Sequence, residues 1–245
     1  MDAPPASTYP FINAMVPSAP MSRAVAVVIP ALNEEGTVVR AIESAFVAGA
    51  STVIVSDGGS TDATEERSQR AGAFVLSCDD IRGRQMNCAA RETEAEILIF
   101  LHADSVLPVN AVANVRKTIE GGAIFGGFQI EFIESDPRLR LAAAMINLRT
   151  RLTRCPWGDQ AQFIERKRFL EVGGFREDPI MEDYEMALRM KKLGRTVILP
   201  SRVRTSGRRF LQKGLWRTAL INWRIILSYR LGTDPAALAE LYRES

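Results

Sequence analysis

The chain has 245 residues, 47% of them hydrophobic and 24% charged, with a net charge of +2; that is one large domain whose core needs no disulfide or structural metal. One histidine and three cysteines exclude Cys/His zinc fingers and HExxH helices, and any histidine-based nucleophile scheme would have to use His102. The near-neutral balance gives no reason to expect nucleic acid.

Residues 1–22 are rich in Ala, Pro and Ser and have no basic region ahead of an apolar run. They read as a disordered leader, not a signal peptide. Ala24–Ile29 is then a continuous apolar run closed by Pro30, and helical spacing follows through Val38, Val39, Ile42, Ala45 and Phe46. Thr52–Val55 is a second strand, followed by a polar helix to Arg70. Ala73–Leu76, a helix over Arg84–Arg91 and Ile97–Leu101 complete the series. Strands that are apolar throughout are buried on both faces, and such β-α repeats predict a mostly parallel α/β sheet flanked by helices. Cys78, Cys88 and Cys155 are odd in number and share no CxxC spacing, so a reducing, cytoplasmic setting is expected.

Ligands of parallel sheets bind beyond the carboxyl ends of the strands. The loops there are polar: Pro30-Ala-Leu-Asn-Glu-Glu35, Ser56-Asp-Gly-Gly-Ser-Thr-Asp62, Asp79-Asp-Ile-Arg-Gly-Arg-Gln-Met-Asn87 and His102-Ala-Asp-Ser105. No P-loop, dinucleotide GxGxxG or GxSxG elbow is present at them. A carboxylate at a strand end, as in Asp104, suits a divalent ion shared with substrate phosphates. Asp62, with Glu65 three residues on, reads as a helix capping box. Asp79 and Asp80 read as loop residues.

Further on, Gly158-Asp-Gln160 and the preceding Trp157 sit just before a strand over Ala161–Ile164 and are candidates for an acceptor pocket, with a core aromatic the alternative for Trp157. Asp183, Met186, Ala187 and Met190 share one helical stripe, which turns Asp183 inward and leaves Glu182 off the stripe. From Ser201 onward nine Arg/Lys face three acids. One helix is expected over Leu211–Leu231, with Lys213, Arg217 and Arg224 on one side; it reads either as a packed helix with a solvated stripe or as a peripheral contact with anionic lipid. Its arginines exclude a membrane span.

The ordered set Val27-Val-Ile-Pro-Ala-Leu-Asn-Glu-Glu35, Val55-Ser-Asp-Gly-Gly-Ser-Thr-Asp62, Leu101-His-Ala-Asp104, Gly173-Gly-Phe175 and Met181-Glu-Asp183 resembles the family-2 glycosyltransferases with the GT-A fold. Gly158-Asp-Gln160 and Thr205-Ser-Gly-Arg-Arg-Phe210 resemble a small branch of that family linked to arsenosugar biosynthesis. The resemblance implies a single GT-A domain over 23–245, with a nucleotide-binding half (23–105), an acceptor-binding half (106–210) and C-terminal amphipathic helices (211–245). It implies that Asp57 contacts the nucleobase, a turn role being the alternative, and that Pro30, Ala31, Asn33 and Glu35 line the nucleotide pocket. Arg82, Gly83 and Arg84 would lie against the diphosphate or donor sugar, with Arg208 and Arg209 clamping the diphosphate from the C-terminal side. Asp104 would hold Mg²⁺ or Mn²⁺. His102 stands where the family more often has a carboxylate, and reads as a second ligand or as a structural residue. Asp183 would be the catalytic base, in an acidic pair with Glu182.

The implied activity is inverting transfer from a nucleotide-diphosphate sugar, UDP-type preferred, to a hydroxyl on a small-molecule or lipid-linked acceptor. The alternatives are a sugar-phosphate nucleotidyltransferase and a non-catalytic nucleotide-sugar-binding protein. The Gln-x-x-Arg-Trp motif of processive synthases is half present: Gln212 and Trp216 fit, but Leu215 replaces the arginine.

Overall fold

The computed structural model describes residues 23–244, so the leader expected over 1–22 lies outside the described residues. Among these, seven strands form one sheet: β1 (Val25–Ala31), β2 (Thr52–Asp57), β3 (Phe74–Ser77), β4 (Ile97–Phe100), β5 (Phe125–Phe132), β6 (Phe163–Glu165) and β7 (Thr196–Thr205). Their spatial order is β3-β2-β1-β4-β6-β5-β7. β6 runs antiparallel to both its neighbours; the other pairs are parallel.

The buried runs explain the layering. Along β1, Val25, Val27 and Ile29 enter one core with Val38, Ala41, Ile42 and Ala45 of α1 (Val38–Val47) and Val112, Val115 and Ile119 of α4 (Ala111–Glu120). Ala26 and Val28 enter the other, with Met86, Ala89 and Ala90 of α3 (Arg82–Glu92) and Met186, Ala187 and Met190 of α7 (Glu182–Leu193). Period-2 alternation thus feeds two apolar cores, each full-sized aliphatic side chain worth about 1.5–3 kcal/mol when wholly buried. β1 continues through Pro30 to Ala31; its pairing with β4 ends at Val28–Phe100, so the missing proline N–H leaves no gap on that side.

α2 (Thr64–Arg70) begins beside Asp62, but the capping box does not form, because Glu65 bonds Gln69 instead of reaching back. α5 (Pro137–Thr153) lies along β5, begun by Asp136, which accepts from Arg138 N at 2.7 Å, and by Pro137 in the first turn. α6 (Arg166–Glu171) follows β6. The single C-terminal helix expected over 211–231 is two helices, α8 (Arg208–Lys213) and α9 (Leu215–Arg230), because Gly214 between them takes φ 85°, ψ 148°. α10 (Pro235–Glu244) folds back against α9. None of the described helices is long and apolar enough to cross a membrane.

The cysteines correct another expectation. Cys78, just past β3, and Cys88, in α3, form a disulfide with Cα atoms 6.7 Å apart, leaving Cys155 as a buried thiol. The pair is brought together by tertiary folding, which ten residues of separation do not advertise. The reducing-compartment expectation rested on the odd count and the lack of CxxC spacing, and the Cys78–Cys88 bridge removes that support.

Candidate active site

The loops after β1, β3 and β4, the start of α7 and helices α8 to α10 enclose a cavity of about 820 Å³ at the carboxyl ends of the parallel strands. Of the four residues expected from the first loop, Pro30 and Ala31 line it, whereas Asn33 and Glu35 do not. Asn33 Oδ1 accepts from Thr61 N at 2.9 Å, and Glu35 Oε2 from Ala63 N at 3.2 Å. These side chains tie the β1 loop to the β2 loop. Glu34, which no motif role singles out, lines the cavity in their place.

Asp57 is likewise occupied by its own loop. Its Oδ2 accepts from Gly59 N and Ser60 N at 2.9 and 2.8 Å, and its Oδ1 from the Ser60 hydroxyl. It is buried and not among the cavity residues, and its three bonds are those a turn Asp makes. Asp62 accepts from Thr64 N (2.9 Å) and Glu35 N (3.2 Å), and these bonds, the Thr64 hydroxyl foremost, hold its carboxyl below the usual range.

Within Arg82-Gly-Arg84 only Arg82 reaches the cavity. Arg84 turns out to Asp79 and Glu177, both at 2.9 Å. Gly83 is buried beneath the Arg176 carbonyl, where a Cβ would collide. Asp80 does line the cavity, unlike the plain loop residue expected. Arg82 Nε lies 2.8 Å from Glu182 Oε1, a charge contact rather than an aligned hydrogen bond. Glu182 is 1% exposed, against the expectation that it leaves the helix stripe; Glu182, Met186 and Met190, at i, i+4 and i+8, also share the inward side. Burial raises the Glu182 carboxyl, with Arg82 pulling it back. Glu182 therefore anchors Arg82 and does not itself line the cavity.

His102 and Asp104 both line the cavity. Burial, helped by the Arg82 charge, drives His102 down to about 3, so the imidazole is neutral, with Nε2 3.5 Å from Arg82 Nη1. Burial raises the Asp104 carboxyl, against the pull of Arg208 at 3.7 Å and with the push of Glu34. Arg208 also bonds Glu34 at 3.1 Å, joining the β1 loop to the β4 loop. Arg209 stacks 3.5 Å from the Tyr242 ring centre, and its buried Nε and Nη2 have no hydrogen-bond partner among the described residues. Arg209 lines the cavity, and guanidinium donors buried without a partner are favourable company for an anion bound there.

On the opposite wall, Asp183 lies in the first turn of α7 and lines the cavity. Its Oδ2 accepts from Gly158 N at 2.5 Å and its Oδ1 from Tyr184 N at 2.6 Å. Met181 just before it holds φ 72°, a strained value for this residue type. Gly158 sits between the two loops: a Cβ there would meet His102 Nε2 at 2.6 Å and Asp183 Oδ2 at 3.1 Å. Trp157 and Asp159 line the cavity, but Gln160 does not. Gln160 is buried, accepting from Thr150 Oγ1 (2.9 Å) and Trp157 N (3.0 Å) and donating to Phe128 O (2.9 Å). Gly158 and Gln160 thus brace the turn that presents Trp157 and Asp159. Arg149, another residue the sequence did not single out, stacks 3.5 Å from the Trp157 ring centre. Asp159 has a buried Oδ1 without a hydrogen-bond partner among the described residues, and burial raises its carboxyl to about 6.

No three His, Cys, Asp or Glu residues among those described cluster tightly enough to hold a metal alone. The Asp104 carboxylate with a neutral imidazole nearby nevertheless fits a cation that takes its remaining ligands from phosphates and water.

Residues 26–176 match the family model described as Glycosyl transferase family 2. The glucosyl-3-phosphoglycerate synthase of Mycobacterium tuberculosis is 34% identical over 103 residues, which are 37% of this chain and 32% of that protein. That of Mycolicibacterium smegmatis is 35% identical over 103 residues, 37% of this chain and 34% of that protein. The match spans about a third of these curated relatives. Among solved structures, S. aureus TarS 1-349 in complex with UDP has a TM-score of 0.62 at 15% identity, covering 75% of this chain and 60% of that one. The M. tuberculosis glucosyl-3-phosphoglycerate synthase with Mn2+, UDP and glucosyl-3-phosphoglycerate has a TM-score of 0.56 at 21% identity, covering 86% and 80%. At these identities the two structures establish the shared GT-A fold.

Proposed function

The chain belongs to glycosyl transferase family 2, and from that premise we propose that it transfers a sugar, with inversion, from a UDP-type donor to a hydroxyl of a small acceptor. The observation that carries this reading is the convergence on one cavity of Asp104, the Arg209 guanidinium with donors that have no partner among the described residues, and the Asp183 carboxylate across Gly158.

Each group has a task. Arg208 and Arg209 take up the negative charge that grows on the departing diphosphate. Arg82, held by buried Glu182, lines the same space, and burial with the added push of its charge keeps His102 neutral. Trp157 and Asp159 offer the acceptor a flat apolar face and a polar edge. Asp183 Oδ2 accepts the proton of the acceptor hydroxyl, whose oxygen forms the new bond to the anomeric carbon as the bond to the diphosphate oxygen breaks. Attack opposite the leaving group inverts that carbon. Mg²⁺ or Mn²⁺, held by Asp104 with His102 as a second donor, would supply Lewis-acid neutralisation of the diphosphate.

The test is incubation with a panel of nucleotide sugars, with and without Mn²⁺, followed by product mass analysis. 3-Phosphoglycerate is the first acceptor to try, since the curated relatives are named for its glucosyl product. Nucleoside diphosphate release with a mass-shifted acceptor supports the reading. Pyrophosphate release from a sugar phosphate and a nucleoside triphosphate would make the protein a nucleotidyltransferase, and donor binding without turnover a binding protein.

A further inference from the structure

We propose that the outer faces of α5 and α9 form a single docking surface for an anionic lipid bilayer. On α5, Leu141, Met145, Leu148 and Leu152 recur at i, i+4, i+7 and i+11, and all four are exposed. On α9, Trp216, Leu220, Trp223 and Leu227 repeat the same spacing, again exposed, the two tryptophans at 70% each. The helices are neighbours, and α9 begins at Leu215 in the small apolar cluster that seats α5. A soluble surface rarely carries two adjoining apolar stripes without an occupant.

Charge identifies the occupant. α5 and α9 together contain seven arginines and no Asp or Glu. Arg140, Arg151, Arg217 and Arg224 are exposed, with no ion pair among the described residues. Tryptophan and leucine on one face with arginines beside them is the composition of helices that lie in the headgroup region, apolar side chains in the acyl boundary and cations on anionic phosphates. A second copy of this chain fits poorly. A two-fold contact would set this face against itself, arginine against arginine, with no acid to neutralise either.

The inner faces of the same helices, through Ile146 of α5 and Thr218, Asn222 and Ile225 of α9, line the catalytic cavity. A bilayer seated on the outer faces therefore lies one helix thickness from the site. None of Trp216, Trp223, Arg217 or Arg224 lines the cavity, so the surface can be altered without touching the proposed chemistry.

The experiment is flotation of the full chain with phosphatidylcholine vesicles, with and without phosphatidylglycerol, at low and high salt. Binding should require phosphatidylglycerol, weaken with salt, and shift tryptophan emission to the blue. Trp216→Ser/Trp223→Ser should lose the emission shift, and Arg217→Glu/Arg224→Glu should lower vesicle affinity by about tenfold or more. Circular dichroism and donor binding of both variants should match the parent. Failure to bind phosphatidylglycerol vesicles at low salt, or binding indifferent to both variants, overturns the proposal. So does a dimer in solution that Trp216→Ser/Trp223→Ser converts to monomer. No sugar donor is needed, so a negative result here leaves the transferase reading standing, and a failed donor panel leaves this one.

Discussion

The two walls of the cavity use polar residues in opposite ways. On the β1–β2 side, Asn33, Glu35, Asp57 and Asp62 spend their oxygens on backbone N–H groups of their own or the adjoining loop. On the opposite side, Asp159 and Arg209 keep buried polar atoms without a partner among the described residues. A loop whose carboxylates bond backbone N–H groups is a firm rim, even though Ser56 Oγ at its base is buried without a partner among the described residues; a buried group without a partner beside the cavity is a candidate for a ligand's polar atoms. In the β1 and β2 loops the motif residues are thus mostly framework, whereas the motif residues His102, Asp104 and Asp183 line the cavity.

Mutations can break or sharpen that contrast. The largest effect belongs to the reactive side: Asp183→Asn should lower turnover by about 10²–10⁴-fold while leaving donor affinity close to the parent value, read as nucleoside diphosphate release alongside a donor titration. An active variant removes Asp183 as base. Arg209→Ala should weaken donor binding by about 10- to 100-fold, the worth of charge-assisted hydrogen bonds, with little change in unfolding midpoint; calorimetric titration with UDP and Mn²⁺ measures it.

On the framework side the sign of the contrast reverses. Asp57→Ala leaves the Gly59 and Ser60 N–H groups without their acceptor and should cost about 1–3 kcal/mol of stability in urea unfolding. If its cost instead appears only in donor affinity, the framework assignment fails. The smallest effect is a pH dependence. Asp159 sits at about 6 in the folded chain against 3.8 ordinarily, so between those values the folded state holds a proton that the unfolded state has released. Its contribution to stability therefore declines as pH rises through that window, by about 1–2 kcal/mol after allowance for solvent access. Asp159→Asn should flatten that part of the stability–pH curve.

What could be read in advance follows the same division. Strands β1, β2 and β4 were legible because β-branched runs buried on both faces have few other fates, whereas β3 is a partly exposed edge strand recognised by its place in the repeat. Asp104, Arg82 and Asp183 were legible as positions after strands or at a helix start. Asp57 and Asn33 could not be assigned by type alone, since a Gly-rich turn selects Asp and Asn whether or not a ligand is present. Glu34 and Glu35 differ only in which way one loop residue points. Arg149 and Tyr242 reach the site from α5 and α10 purely by tertiary packing, and no spacing announces them. The Cys78–Cys88 bridge and the break at Gly214 were hidden for related reasons: one depends on packing, the other on a backbone angle at a lone glycine inside an amphipathic pattern.

That glycine has a mechanical consequence. A Cβ at Gly214 would meet nothing within 4 Å, yet its φ of 85° suits almost no other residue. Handedness, not room, reserves the position for glycine, so Gly214→Ala should act as a splint and not as a clash, at about 1–3 kcal/mol for the forbidden angle. The joint divides the C-terminal chain into two levers. One carries Arg208 and Arg209 into the cavity; the other carries the exposed tryptophans. Each can take its own angle, and fusing them into one rod would oblige a single orientation to serve both.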